Sequence, residues 1–202
     1  LSLPKKLAKY NMKKTLFIAL LLIPFLGISQ TTKPIDGFLG IKFGSDAATV
    51  KAAIKAKGGL FLASKSTTEL LKFTGVKLGH RASSLFAVKL VDNKAYEADF
   101  FFDPELEAKI IDEYDALASD LNDVYGKGTA TKTFKSPYAD GDGFEITAIQ
   151  SGNADYQTIW ESGENTLSEV IVSEMSIELT YQNGPLIDKA IAKDKAKEKS
   201  DY

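Results

Sequence analysis

Residues 85–102, LFAVKLVDNKAYEADFFF, constrain the fold more than any other stretch of the chain. Two runs alternate apolar and polar residues on either side of Asp92-Asn93-Lys94, the pattern of a half-buried β-hairpin. Side-chain chemistry then chooses the register. A loop made of those three residues sets Val91 against Ala95, Leu90 against Tyr96, Lys89 against Glu97, Val88 against Ala98 and Phe86 against Phe100. Charge meets charge and apolar meets apolar. A two-residue loop sets Val88 against Glu97, and such a slip moves a whole strand to the wrong face. The expected buried face is Phe86, Val88, Leu90, Tyr96, Ala98, Phe100 and Phe102.

A helix precedes this hairpin and another follows it. Within FLGIKFGSDAATVKAAIKAKGG (38–59), Phe38 to Phe43 reads as a strand and Asp46 to about Lys57 as a helix, with Ser45 as N-cap and Gly58 as stop. Asp103-Pro104-Glu105 opens the second helix as cap, first helical residue and first-turn acid. Leu106, Ile110, Tyr114, Leu117, Leu121 and Val124 then recur at helical spacing up to Tyr125.

The remaining strands are read at Leu60–Ala63 and Glu69–Leu78, the latter with a bulge at Gly75. After the second helix they are read around Thr131–Lys135, Phe144–Ile149, Tyr156–Glu161 and Ser168–Tyr181. Residues 185–202 read as a charged, frayed tail. The expected fold class is α+β: an antiparallel sheet with two helices packed on one face. It forms a single domain over 38–184, divisible into helix-plus-four-strand halves at 38–102 and 103–184.

The N-terminal stretch bears on compartment. Lys13 and Lys14 precede an apolar run from Leu16 to Ile28 and then Gly27-x-Ser29, the layout of a secretory signal peptide cleaved after Ser29. The run is shorter than the roughly 20 apolar residues a bilayer span requires. Residues 1–11 read as an upstream extension, and 30–37 as a polar leader. The expected product is exported, periplasmic or secreted, with no transmembrane span after cleavage. All five charges before Gln30 are lysines, which leaves 20 basic and 27 acidic residues and a net charge of −7. Such a surface disfavours nucleic acid and anionic lipid. With no cysteine in the chain, the core forms without disulfides, which roughly 170 residues allow.

Several residue groups invite chemistry. Gly44-Ser45-Asp46 fails as a phosphate loop: the lysine and hydroxyl that should follow the last glycine are missing, and a carboxylate stands where the anion would sit. Asp140-Gly141-Asp142-Gly143 is the best acceptor cluster for a metal, yet Glu145 and Ser151 occupy the positions where a calcium loop needs glycine and glutamate. That segment reads as a hairpin turn, so no metal or cofactor is expected. His80 and Arg81 share a loop suited to an acidic partner. Tyr156 and Trp160 share one strand face and, with Tyr138, form either core or an exposed aromatic platform. Glu97 and Asp99, two residues apart on one strand, are the carboxylates available for acid–base work on a polymer.

The succession of helix, four strands, helix, four strands, opened by GIKFGSDAATVKAAIKAKGG, resembles small exported bacterial α+β proteins of unknown function. In layout it is similar to the β-lactamase-inhibitor-protein-like fold and, more distantly, to small outer-membrane assembly lipoproteins. The likeness covers about 38–182. This chain lacks the disulfide and lipidation cysteines of those two groups. The resemblance implies a fold that binds proteins through a sheet face. The expected function is therefore an exported, non-enzymatic binding protein with a protein or envelope component as partner. The alternatives are a carboxylate-based hydrolase of an envelope or extracellular polymer, and a structural envelope component.

Overall fold

The computed structural model describes residues 32–200, so the leader segment expected over 1–29 lies outside the described residues. The protein is α+β, built on one antiparallel sheet of eight strands. In chain order, β1 (Gly37–Phe38) and β2 (Ile41–Lys42) form a small hairpin, followed by α1 (Ala47–Ala56). Next come β3 (Leu60–Phe61), β4 (Leu70–Thr74), the side hairpin β5 (Lys77–Leu78) and β6 (Arg81–Ala82), then β7 (Leu85–Val91) and β8 (Lys94–Phe102). Helix α2 (Ile110–Tyr125) leads to β9 (Thr129–Phe134), α3 (Glu145–Gln150), β10 (Ala154–Ser162), β11 (Asn165–Val172), β12 (Ser176–Asn183) and α4 (Gly184–Ser200).

Strand order in the large sheet is β3-β4-β7-β8-β12-β11-β10-β9. Two helix-then-meander runs thus meet at their last strands, and β8 pairs antiparallel with β12 from Phe102/Ile177 to Glu97/Gln182. The inner face is continuous across the seam. Read through the register, one inner row runs Phe61, Phe73, Phe86, Phe100, Leu179, Glu169, Thr158, Ala130. The four phenylalanines contact in series with centroids 5.4, 6.0 and 4.4 Å apart, distances typical of tilted aromatic pairs. Helix α1 covers this face with Val50 and Ile54, α2 with Ile110, Tyr114, Leu117 and Leu121, and α3 with Ala148 and Ile149, all in one core.

The 85–102 hairpin combines both loops weighed from sequence. The turn is the two-residue Asp92-Asn93, each left-handed at φ +47° and +61°, as hairpins with matching twist prefer. Lys89 still pairs with Glu97, because a bulge between Lys89 and Leu90 leaves Tyr96 unpaired. Leu90 therefore pairs with Ala95 instead of Tyr96, and Val91 with Lys94 instead of Ala95. Ala95 is fully buried in Tyr96's expected place, and Tyr96 is half-buried.

Other expectations are corrected by the structure. Phe38 to Phe43 is not one strand: Leu39 and Gly40 turn left-handed and fold it back on itself. Residues 32–37 are no detached leader, since Lys33 donates its backbone N–H to Val124, Asn165 donates to the Ile35 carbonyl and Ile35 is buried. Gly75 is not a bulge within one strand but ends β4 at φ +72°. Helix α2 starts at Ile110, beyond a 3-10 turn at Glu107–Lys109, not at Pro104, which leaves Leu106 exposed. Phe144–Ile149 is not a strand: Ile146 and Ile149 are helically spaced, and Asp142 starts the turn by accepting the Phe144 N–H at 2.8 Å. Ser168–Tyr181 is not one strand but the β11–β12 hairpin, whose left-handed turn residue is Met175 at φ +59°, where no glycine marks it. The tail from Gly184 is helical, and Leu186, Ile187 and Ala190 are its half-buried apolar residues.

The cap of α1 also differs by one residue. Asp46, not Ser45, accepts the Thr49 N–H, at 2.7 Å, and Asn93 of the hairpin turn accepts the Ala47 N–H at 3.2 Å. Asp46→Ala is therefore expected to lower the thermal midpoint by a few degrees and Ser45→Ala to leave it unchanged, as measured by circular dichroism.

Candidate interaction face and buried carboxyls

The outer face of the sheet can be read row by row from the register. One row runs Thr131, Gln157, Val170, Glu178, Phe101, Leu85. The next is Thr129, Ile159, Ser168, Thr180, Asp99, Ala87, Lys72, and a third is Glu161, Thr166, Gln182, Glu97, Lys89, Leu70. Hydroxyls, amides and β-branched residues dominate the β9–β12 end, where these side chains are half-buried or exposed. At the other end α4 leans on the sheet, with Lys193 bonded to Glu69 and Asp92, and Lys189 to Asp92. A cavity of about 150 Å³ lies there between Lys89, Tyr96 and Ala190.

At the centre of this face the structure brings Glu97 and Asp99 together around Lys89. Lys89 pairs with Glu97, and its Nζ lies 3.6 Å from Asp99. Thr180 donates to Asp99 at 3.0 Å and Gln182 to Glu97 at 2.8 Å. Burial, reinforced by the neighbouring Glu97 charge, pushes the Asp99 carboxyl up to about 6. One cation shared between two carboxylates leaves Asp99 the proton holder of the pair. Asp99 is 3 % exposed, and the adjoining cavity is lined by Lys89 but by neither carboxylate. The pair forms a packed polar seam, where substrate access is narrow.

The other residues singled out from sequence lie elsewhere. Tyr156 and Trp160 are 2 % and 3 % exposed, so of the two readings they take the core one. Trp160 donates to Asn122 at 3.0 Å, and Asn122 also accepts the Gly128 N–H. A Cβ on Gly128 would meet the Trp160 ring at 2.7 Å, so this glycine is required for packing beyond its place after the helix. Tyr138 is half-buried against the same core. Asp140 is exposed. Asp142 accepts the Ala139 and Phe144 N–H groups, both at 2.8 Å, so the acidic segment is a lead-in to α3 and not a hairpin turn. Among the described residues no group of three or more His, Cys, Asp or Glu could hold a metal, and no helix is long and apolar enough to cross a membrane. His80 is exposed at the tip of the β5–β6 hairpin, and Arg81 pairs with Asp120 of α2.

Glu169 escaped sequence reading altogether. It is fully buried on the inner face, opposite Thr158 and Leu179, and neither carboxyl oxygen has a hydrogen-bond partner among the described residues. Beside it Tyr114 and Thr158 share a hydrogen bond of 2.7 Å. Burial pushes the Glu169 carboxyl up to about 9, against the pull of the Arg81 charge and with a small push from Asp115. The usable signal was its place in the alternation Leu167-x-Glu169-x-Ile171, a carboxyl at an inward position.

Comparisons of the chain with protein-family models, with curated proteins and with solved structures found no match.

Proposed function

We propose that this chain is an exported, non-enzymatic interaction protein whose partner docks on the outer sheet face over β9 to β12. The observation that supports this reading is the register itself, which lines up Thr131, Gln157, Ile159, Thr166, Ser168, Val170 and Thr180 on one face. Asp155, Glu161 and Glu178 lie on that face, with Lys89 and Lys72 confined to its far side. The surface therefore suits a protein with a basic, hydrogen-bonding patch, for which charge complementarity supplies on-rate and orientation. Export rests on the expected leader segment, and the layout resemblance favours binding through a sheet face.

The test compares the purified protein with a double variant, Gln157→Arg and Val170→Glu, as bait in a bacterial envelope extract. A partner held by the parent, lost by the face variant and retained by the opposite-side control Lys55→Glu is the expected result. Capture that ignores the face variant overturns the proposal. Turnover of an envelope polymer abolished by Asp99→Asn would instead favour the hydrolase reading, for which the raised proton affinity of Asp99 is the supporting observation.

A further inference from the structure

The β5–β6 hairpin stands against the second half of α2 and encloses a cavity of about 250 Å³ away from the outer face. Its walls are apolar: Leu78 from the hairpin and Leu117, Leu121 and Val124 from the helix. Its polar groups are mostly donors. Lys33, His80 and Arg81 line it, with Asp120 as the one carboxylate, and Asp120 already takes one edge of the Arg81 guanidinium. A guanidinium carries five N–H donors, so this pairing leaves others for a ligand.

Two phenols complete the lining. Tyr181 is 2 % exposed, yet it lines the cavity, and among the described residues its hydroxyl meets only that of Tyr125, at a long 3.4 Å. Between two hydroxyls one proton makes the bond and the other still needs an acceptor. Burial raises the proton affinity of Tyr181, so it remains a donor. Glu169, within electrostatic reach of Arg81, stays protonated in its buried place and does not cancel the guanidinium charge. Two permanent cations thus face one carboxylate, beside a phenol proton without an acceptor, over a greasy floor.

We propose that this cavity binds a small monocarboxylic acid, its carboxylate held by Arg81, Lys33 and the Tyr125–Tyr181 pair and its aliphatic or aromatic body packed between Leu78, Leu117, Leu121 and Val124. Drug-sized sites run to roughly 300–1,000 Å³, so the ligand here is smaller, on the order of ten non-hydrogen atoms. Buried apolar area supplies affinity, and charge-assisted hydrogen bonds to the carboxylate supply selectivity. The inference is independent of the outer-face reading, because the two surfaces lie on opposite sides of the sheet.

Calorimetric titration of the purified protein with sodium hexanoate, 1-hexanol and hexylamine tests it. Saturable one-to-one binding of hexanoate is expected, with the alcohol and the amine weaker by about ten-fold or more. Arg81→Gln is expected to weaken hexanoate by about ten-fold. Val124→Trp, at a position 42 % exposed where a larger ring leaves the core untouched, fills the cavity and is expected to abolish binding. This second variant decides the matter even if loss of the Arg81–Asp120 pair impairs folding. Absence of saturable hexanoate binding, equal binding of the alcohol, or full binding by Val124→Trp would each overturn the proposal.

Discussion

Replacing Glu169 by leucine is expected to raise the unfolding free energy at pH 7 by about 3 kcal/mol, one of the largest single-residue gains the fold offers. The folded protein holds the Glu169 proton up to about pH 9, whereas an exposed glutamate ordinarily releases it near 4.5. At pH 7 the unfolded chain therefore gains by releasing a proton that the folded chain must keep. Each unit of that gap is worth about 1.4 kcal/mol. Leucine removes the penalty, and it also removes two carboxyl oxygens that have no partner. Its neighbours across the strands, Leu179 and Thr158, and Leu167 and Ile171 along the strand, accept a branched apolar side chain without new polar burial.

Glu169→Gln separates the two contributions. It abolishes the proton cost but leaves an amide buried without partners, so a gain smaller than that of leucine is expected. Urea unfolding of the parent and both variants at pH 7 measures the effect. A leucine variant no more stable than the parent would mean that the carboxyl is satisfied by something other than its own chain. A neutral carboxyl kept in the middle of an apolar row at such a cost marks a position where stability has been traded for something else, and Arg81, whose charge pulls on it, is the group to which it answers.

Much of this architecture was legible because hydrophobic alternation and helix punctuation are local. The buried stripe of α2 (Ile110, Tyr114, Leu117, Leu121) is the middle of the run the spacing predicts, while Leu106 and Val124 at its two ends are exposed, and the Lys89–Glu97 register is the one side-chain chemistry predicts. The errors have common physical roots. The β11–β12 turn was invisible because its left-handed residue is methionine, which normally avoids φ > 0. The sequence FEITAI alternates like a strand, yet it is helical from Glu145, with Asp142 accepting the Phe144 N–H and Glu145 the Gly141 N–H at its start. The bulge at Tyr96 reconciles a turn fixed by local conformation with a register fixed by cross-strand chemistry, and neither consideration alone reveals it.

The sites were less legible for a different reason. Face assignment on an antiparallel strand follows from period two, but which face is covered depends on elements far away in the chain. Tyr156 and Trp160 became core because α2 and α3 lie on their side. Glu97 and Asp99 became a buried seam because Thr180 and Gln182, about eighty residues later, pair across β12. The β5–β6 cavity needs a helix some forty residues beyond its hairpin, so His80 and Arg81 could be picked out from sequence while the apolar walls around them could not.

The same buried carboxyls set how stability changes with pH, and the sign is opposite to that of ordinary salt-bridged acids. Asp99 and Glu169 both have folded-state proton affinities above their unfolded ones, 3.8 to about 6 and 4.5 to about 9. A group raised in the folded state contributes stability that is fully present below its unfolded value and is lost as pH rises towards its folded value. Asp99 therefore loses its contribution between about pH 4 and 6 and Glu169 between about pH 4.5 and 9. Acids held below their usual range, such as Asp36 beside Lys42 and Asp46 at the α1 cap, act the other way and weaken the fold only as pH falls through the lower part of the carboxylate range. The optimum should thus lie near pH 5. Between pH 5 and 8 the two buried groups together cost about 5 kcal/mol, or about 10–20 °C of melting temperature for a chain of this size. Thermal unfolding at fixed ionic strength checks this, and in Glu169→Leu most of the slope above pH 6 should vanish. A stability maximum at or above pH 7 in the parent would show that both carboxyls ionise in place, relieved by groups that the packing does not supply.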